Sequence, residues 1–142
     1  MALVDVRTYF KTKLNGLGFT QWTDAFDFNN IPNTVLDKNY FLETKTFSRI
    51  SQNQVDLNLK CDVNVIVFLK GYRNLDTAYM ESLNKALLII KELTKISNAK
   101  VQTNIKNVNI ESFDISPVDQ SSDNLFMINM SFAALLLIDV NN

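Results

Sequence analysis

The chain has no histidine, one cysteine, three glycines and two prolines in 142 residues. Without histidine it lacks the commonest general base near neutral pH and the commonest metal ligand, so Ser-His and Cys-His catalysis are excluded. Gly16, Gly18 and Gly71 cannot build a P-loop, and the G-x-G around Leu17 precedes no helical pattern and lacks the rest of a dinucleotide fingerprint. Cys61 cannot form an internal disulfide, which fits a reducing compartment. It falls in the apolar phase of an alternating run, where a small core residue is expected rather than an activated thiolate. The longest nearly uncharged apolar run, Phe132 to Ile138, is less than half of the ~20 residues needed to cross a bilayer as a helix, so no membrane partner is expected. Met1 to Phe10 carries Asp5 and Arg7 and has neither a basic leader nor an apolar run of the secretory kind, so the product is expected to stay where it is made.

Charge of one sign is also missing. With 14 Lys plus Arg against 15 Asp plus Glu, the net charge of -1 gives no strong field for phosphates, and sequence-specific nucleic-acid binding is not expected. Asp114, Asp119 and Asp123 lack the spacing and central glycine of a calcium loop, and among Glu43, Asp56, Asp62 and Glu111 nothing selects a catalytic pair. Tyr40, Phe41 and Phe47 with Lys45 and Arg49 have the composition of a nucleic-acid face, but an ordinary alternating sheet produces the same pattern. The expectation is no catalytic residue, no cofactor, no metal and no enzyme.

What is present is the material for one core. Hydrophobic residues make up 46% of the chain and charged residues 20%, and at this length folding buries roughly 68% of the unfolded surface, so residues 1–142 are expected to form one domain. Leu3, Val6, Phe10 and Leu14 recur at helical spacing until Asn15-Gly16, which supplies helix-ending residue types. From Leu17 to Asp37 periodicity fails while Phe19, Trp22, Phe26 and Phe28 add aromatic weight, predicting a long loop that packs on the core or meets a partner. Tyr40 to Ile50 is β-branched and aromatic, and Ser51-Gln52-Asn53 reads as a turn.

Val55, Leu57, Leu59, Cys61, Val63, Val65, Val67 and Leu69 then take the odd positions, with Asp56, Asn58, Lys60, Asp62 and Asn64 between them, which only a strand places on two faces. Leu75, Tyr79, Leu83, Ala86, Leu87, Ile90, Leu93 and Ile96 form a helical stripe. Val108, Ile110, Phe113 and Ile115 suggest an irregular strand ended by Pro117, with Ile105 less securely placed. Phe126 through Val140 alternates again. Helix, two strands, helix, two strands predicts an α+β fold: a four-stranded, mostly antiparallel sheet from two long β-hairpins, with two helices packed on one face.

A strand from Val55 to Leu69, at ~3.3 Å per residue, extends on the order of 50 Å, whereas a domain of this size has a diameter of about 37 Å. Either the strand bends, bulges or breaks, or part of the sheet projects beyond the core. Ala133 to Ile138 is apolar on both faces, which calls for cover on both sides. A neighbouring subunit or the loop around Trp22 would supply it.

Three segments resemble the tail-terminator proteins of tailed bacteriophages, also called tail-completion or neck proteins. The first is the entry helix with Gly16-Leu17-Gly18-Phe19, the aromatic loop through Trp22 and Phe26, and the run Asn30-Ile31-Pro32-Asn33-Thr34 followed by Leu36-Asp37-Lys38-Asn39-Tyr40. The second is the alternating strand ending in Val67-Phe68-Leu69-Lys70-Gly71-Tyr72-Arg73 before the long helix, and the third is the final hairpin with its apolar last strand. The resemblance implies a subunit of a homo-oligomeric, hexameric ring at the head-proximal end of the tail tube. Such a ring stops tube growth and offers a docking surface to the head-side connector, with DNA passing through its lumen. It implies the tail tube protein and the connector or neck proteins as partners, the virion as location, with assembly in the host cytoplasm, and no active site.

The polar strand face of Asp56, Asn58, Lys60, Asp62 and Asn64, together with Arg49 and the turn from Asp119 to Asp123, is the expected subunit or tube interface. For each of these residues plain solvent exposure is the competing reading. Trp22, Phe26, Phe28, Ile31 and Pro32 are expected to pack their loop or touch a partner. The rivals are another neck, head-tail adaptor or baseplate ring subunit and, from a different class, a small ligand-binding module closed by the Trp22 loop.

Overall fold

A computed structural model describes residues 2–21, 37–71, 75–95, 105–117 and 124–139. Helix α1 (Ala2–Gly16) buries Val6, Phe10 and Leu14 of the stripe its spacing predicts, and Tyr9 beside them. Its end is set by Gly18 rather than Gly16. Gly18 sits in the left-handed region at φ 95°, Phe19 N–H donates to the Leu14 carbonyl at 3.1 Å, and Gly18 N–H donates to the Asn15 carbonyl at 3.1 Å. These paired bonds close a Schellman cap, and a side chain at position 18 would be strained.

The cap directs the chain into β1 (Thr20–Gln21), which pairs in parallel with Asn39 and Tyr40 at the start of β2 (Asn39–Gln52). This corrects the four-stranded expectation: among the described residues the sheet has five strands and is mixed, in the order β1-β2-β3-β5-β4. A two-residue strand leaves no periodicity in sequence. It exists because Thr20 N–H reaches the Lys38 carbonyl at 2.9 Å once Gly18 has turned the backbone. The remaining loop residues 22–36, including Trp22, Phe26, Phe28, Ile31 and Pro32, lie outside the described residues.

The other four strands pair as antiparallel neighbours. β2 joins β3 (Asp56–Gly71) through a turn in which Asn53 Oδ1 accepts the Val55 and Asp56 N–H groups at 2.7 and 2.6 Å, as an Asx-turn requires. β4 (Ile105–Pro117) pairs only with β5 (Asn124–Asp139) among the described strands, and β5 lies between β3 and β4. β4 begins at Ile105, earlier than the secure part of its pattern, and the irregularity expected there is real: its register shifts between Ile105 and Asn107 and again between Ile110 and Ser112. At the other end of β2, Lys38 N–H donates to the Phe68 carbonyl at 2.8 Å and Asp37 Oδ1 accepts the Lys70 N–H at 2.9 Å. Asp37 thus continues the ladder with a carboxylate where Lys38, at φ 64°, breaks the strand backbone.

The core lies between one sheet face and both helices. Cys61, Val63, Val65 and Val67 of β3 and Ile128, Met130, Phe132, Ala134 and Leu136 of β5 face α1 and α2 (Leu75–Thr94). Tyr9 Oη ties the helices by donating to the Leu93 carbonyl at 2.7 Å.

α2 buries Ala86 and Leu93 of its predicted stripe but is rolled so that Tyr79 and Leu87 of that stripe stay exposed. The buried positions are Ala78, Ser82, Ala86, Ile89 and Leu93, whereas Tyr79, Met80, Leu87 and Leu88 stay 42–51% exposed. Small residues at four-residue spacing let this helix lie close on the sheet, and that closeness selects the face over bulk hydrophobicity. The opposite sheet face carries a smaller cluster of Phe41, Phe68 and Leu125. No described helix is long and apolar enough to cross a membrane.

Candidate functional site

The central pair is uninterrupted. β3 and β5 match at every position from Asp56 opposite Asp139 to Gly71 opposite Asn124, with no register shift. Sixteen residues at ~3.3 Å make a ribbon about 53 Å long, so the strand neither breaks nor bulges. The helices do not cover all of it. In the β2–β3 hairpin every residue from Lys45 to Val55 is exposed, including Phe47 at 38%, Ile50 at 57% and Val55 at 48%. On the far side of the sheet Glu111 to Asp114 of β4 are exposed, with Phe113 at 37%.

Among the described residues β2 and β4 are therefore edge strands, with no strand partner on their outer side over much of their length. Among the described residues, only β1 borders the outer side of β2, and only at Asn39 and Tyr40, while no strand borders the outer side of β4. Edges left to solvent are commonly blunted by charge or by bulges. Both devices are present: β2 carries Lys45 and Arg49 and shifts register between Thr44 and Phe47 and between Arg49 and Ser51. Phe47, Ile50 and Phe113 lie on the same strands, and their exposed apolar surface gains from cover.

The polar face of β3 is a connected surface. Lys60 Nζ lies 3.2 Å from Glu111 Oε2 on β4 and 3.7 Å from Asp62 Oδ1 on its own strand. The bridge spans β5 where Ala133 lies opposite Asp62, and Ala133 is only 5% exposed beneath it. The Lys60 ammonium is held above its ordinary pKa, first by the hydrogen bond and charge of Glu111 and then by Asp62. Asn58 Nδ2 donates to Ser51 Oγ at 2.9 Å, and Ser131 Oγ donates to Asn64 Oδ1 at 3.5 Å. Asp62 Oδ1, apart from the Lys60 ammonium, and Asn129 Oδ1 are buried without a hydrogen-bond partner.

Asp56, Asn58, Lys60, Asp62 and Asn64 share this face and are half-buried rather than plainly exposed. Arg49 is not with them. It lies opposite Leu59 and so points to the helix side of the sheet. Asp119 and Asp123 lie outside the described residues. Phe47, Ile50 and Phe113 were not singled out by the sequence as exposed apolar residues, because bulges on β2 and β4 scramble the alternation that would have marked their faces.

A groove of about 570 Å³ opens between the β2 and β3 ends and α2, floored by Leu69, Ala78 and Leu88 and rimmed by Lys38, Glu81 and Lys85. No group of three or more potential ligands among the described residues could hold a metal. Cys61 is fully buried in the core, and its thiol is pushed up to about 11, first by burial and then by the charge of Asp62.

Native protein at pH 8 is therefore expected to leave an aromatic disulfide reagent unreacted, and denatured protein to release one equivalent. The folded value lies above the unfolded 9.0, so the linked stability is complete below pH 9 and is lost as pH rises through about 11. A Cys61→Ala chain should unfold less steeply over that window.

No protein-family model matches the chain, and no curated protein matches it.

Proposed function

We propose that the chain is a structural virion protein of a tailed bacteriophage: a tail terminator whose copies form a hexameric ring at the head-proximal end of the tail tube. The observation that carries this reading is the sheet itself, an unbroken ribbon of about 53 Å whose edges and hairpin tip extend past the helices with apolar side chains exposed. Such surface finds cover in a neighbouring copy. The resemblance to the tail-terminator family supplies the place of assembly, and the absence of histidine supports a role without catalysis.

The mechanism is steric and geometric. Contacts between unlike edges are heterologous, and a rotation that closes them makes a ring instead of a filament. One ring surface then complements the last ring of the tube protein, while the other accepts the connector and gives the tube protein nothing to add to. The product resides in the virion neck, after assembly in the host cytoplasm, with DNA passing through the lumen. Omitting the chain from an assembling phage should give tubes of uncontrolled length in electron micrographs; tubes of normal length would overturn the reading.

The polar face of β3 is assigned to a neighbouring copy, the lumen or the tube. Reversing both charges, Lys60→Glu with Asp62→Lys, sets a new carboxylate against Glu111 and is expected to reduce yields of assembled particles at least tenfold while the isolated protein keeps its circular dichroism. Unchanged particle yield would remove Lys60 and Asp62 from the interface.

The groove beside α2 favours a second reading, a small ligand-binding module, since its volume lies in the range of ligand sites. A ligand there would raise the melting temperature with concentration.

A further inference from the structure

We infer that the β2 edge of one copy pairs antiparallel with the β4 edge of the next, in the register that sets Phe47 opposite Phe113. This rests on the ring proposed above and specifies its contact.

Direction comes first. β2, β3, β5 and β4 alternate in direction, so placing copies side by side with the same orientation brings β2 against β4 as antiparallel neighbours. Faces come second. Phe47 lies opposite Cys61 and Phe113 opposite Met130, both core residues, so both rings project to the helix side. Opposed residues of an antiparallel pair share a face, and in this register Phe47 meets Phe113 on the helix side while Ser48 meets Ser112 on the polar side. Lys45 falls diagonal to Asp114 on that polar side. Two half-exposed aromatic rings cover each other, and opposite charges flank them.

Length comes third. Counting from Phe47 opposite Phe113 and through the β2 bulge, Pro117 arrives opposite Leu42, just short of Asn39 and Tyr40, which β1 already occupies. Pro117 has no N–H to donate and suits the end of a ladder. A neighbour placed level, without stagger, would bring β4 against the residues that β1 holds. Within one sheet Phe47 is level with Cys61, and Phe113 is level, through Met130, with Val65. The difference from 61 to 65 is a stagger of four residues, or about 13 Å, across four strands that span about 19 Å. The strands then tilt by about 34° from the ring axis, close to the tilt of closed β-sheets.

The test is oxidative cross-linking in a Cys61→Ala chain carrying Phe47→Cys and Phe113→Cys. Directly opposed strand residues have Cα atoms about 4.5–5.5 Å apart, within disulfide range. The protein, alone at high concentration and added to tail particles made without it, should give a ladder of covalent multimers on a non-reducing gel. Phe47→Cys with Ile115→Cys, one step along the same face, should give at least tenfold less. Rings seen by electron microscopy whose subunits cross-link only through the Ile115 pair, or through neither, would overturn the register and leave the ring standing. Monomers in both settings would overturn ring and register together. Phe47 and Phe113 are partly exposed, so circular dichroism of each variant should match the parent chain.

Discussion

Phe132→Ala should lower the unfolding free energy by about 3–5 kcal/mol in a urea titration, shifting the midpoint at little change in slope. Phe132 is fully buried on β5, the strand between β3 and β4, and lies opposite Val63 on one neighbour and Ile110 on the other. Its ring meets Phe10 of α1 edge to face, with centroids 5.5 Å apart at 66°. Truncation therefore removes transfer energy, leaves a cavity walled by a rigid ladder that cannot collapse into it, and unseats α1 from the sheet. Against a total stability of about 5–15 kcal/mol, that loss takes a large share of the folded state. A loss under about 1 kcal/mol would mean that α1 does not pack against this ring.

The legibility of this fold in sequence follows how each residue is constrained. β3 was readable because one of its faces meets the core and the other a polar surface, so the odd and even positions from Val55 to Leu69 carry opposite chemistry. β5 was readable in its even positions for the same reason. Where a strand is an edge, the constraint weakens: register shifts on β2 and β4 move side chains between faces, and the alternation fades where the exposed aromatic residues lie. β1 was invisible because, beyond the local turn at Gly18, its existence depends on the bond from Thr20 N–H to the Lys38 carbonyl, which joins positions distant in sequence.

The candidate site was legible in part. The residues from Asp56 to Asn64 were correctly grouped on one face, but Glu111, which completes the bridge at Lys60, comes from β4 and sits beside a bulge. No spacing in the chain joins positions 60 and 111. Arg49 was named together with them, and the register shift before Phe47 places it on the other side. Composition decided which chemistries are missing. Which surfaces are left open depends on where helices end, and that is decided by packing.

α2 gives the sharpest contrast between pattern and packing. Ile89→Ala should destabilise the protein by about 2–5 kcal/mol, whereas Leu87→Ala, two residues away, should stay within about 0.5 kcal/mol. The helical stripe read from sequence includes Leu87 and omits Ile89, because Tyr79, Leu83 and Leu87 follow at four-residue spacing. The structure reverses them: Ile89 is 0% exposed in the core, and Leu87 is 50% exposed. A helix carrying Ala78, Ser82 and Ala86 on one side can approach the β3 and β5 backbones closely, and that approach seats Ile89 and Leu93 among the core strands. Turning α2 to bury Leu83 and Leu87 instead would hold it farther off and strand Ile89 in water. Should both substitutions be equally damaging, α2 would be seated on the face its hydrophobic pattern prefers, and the exposed Met80 and Leu87 would belong to the core.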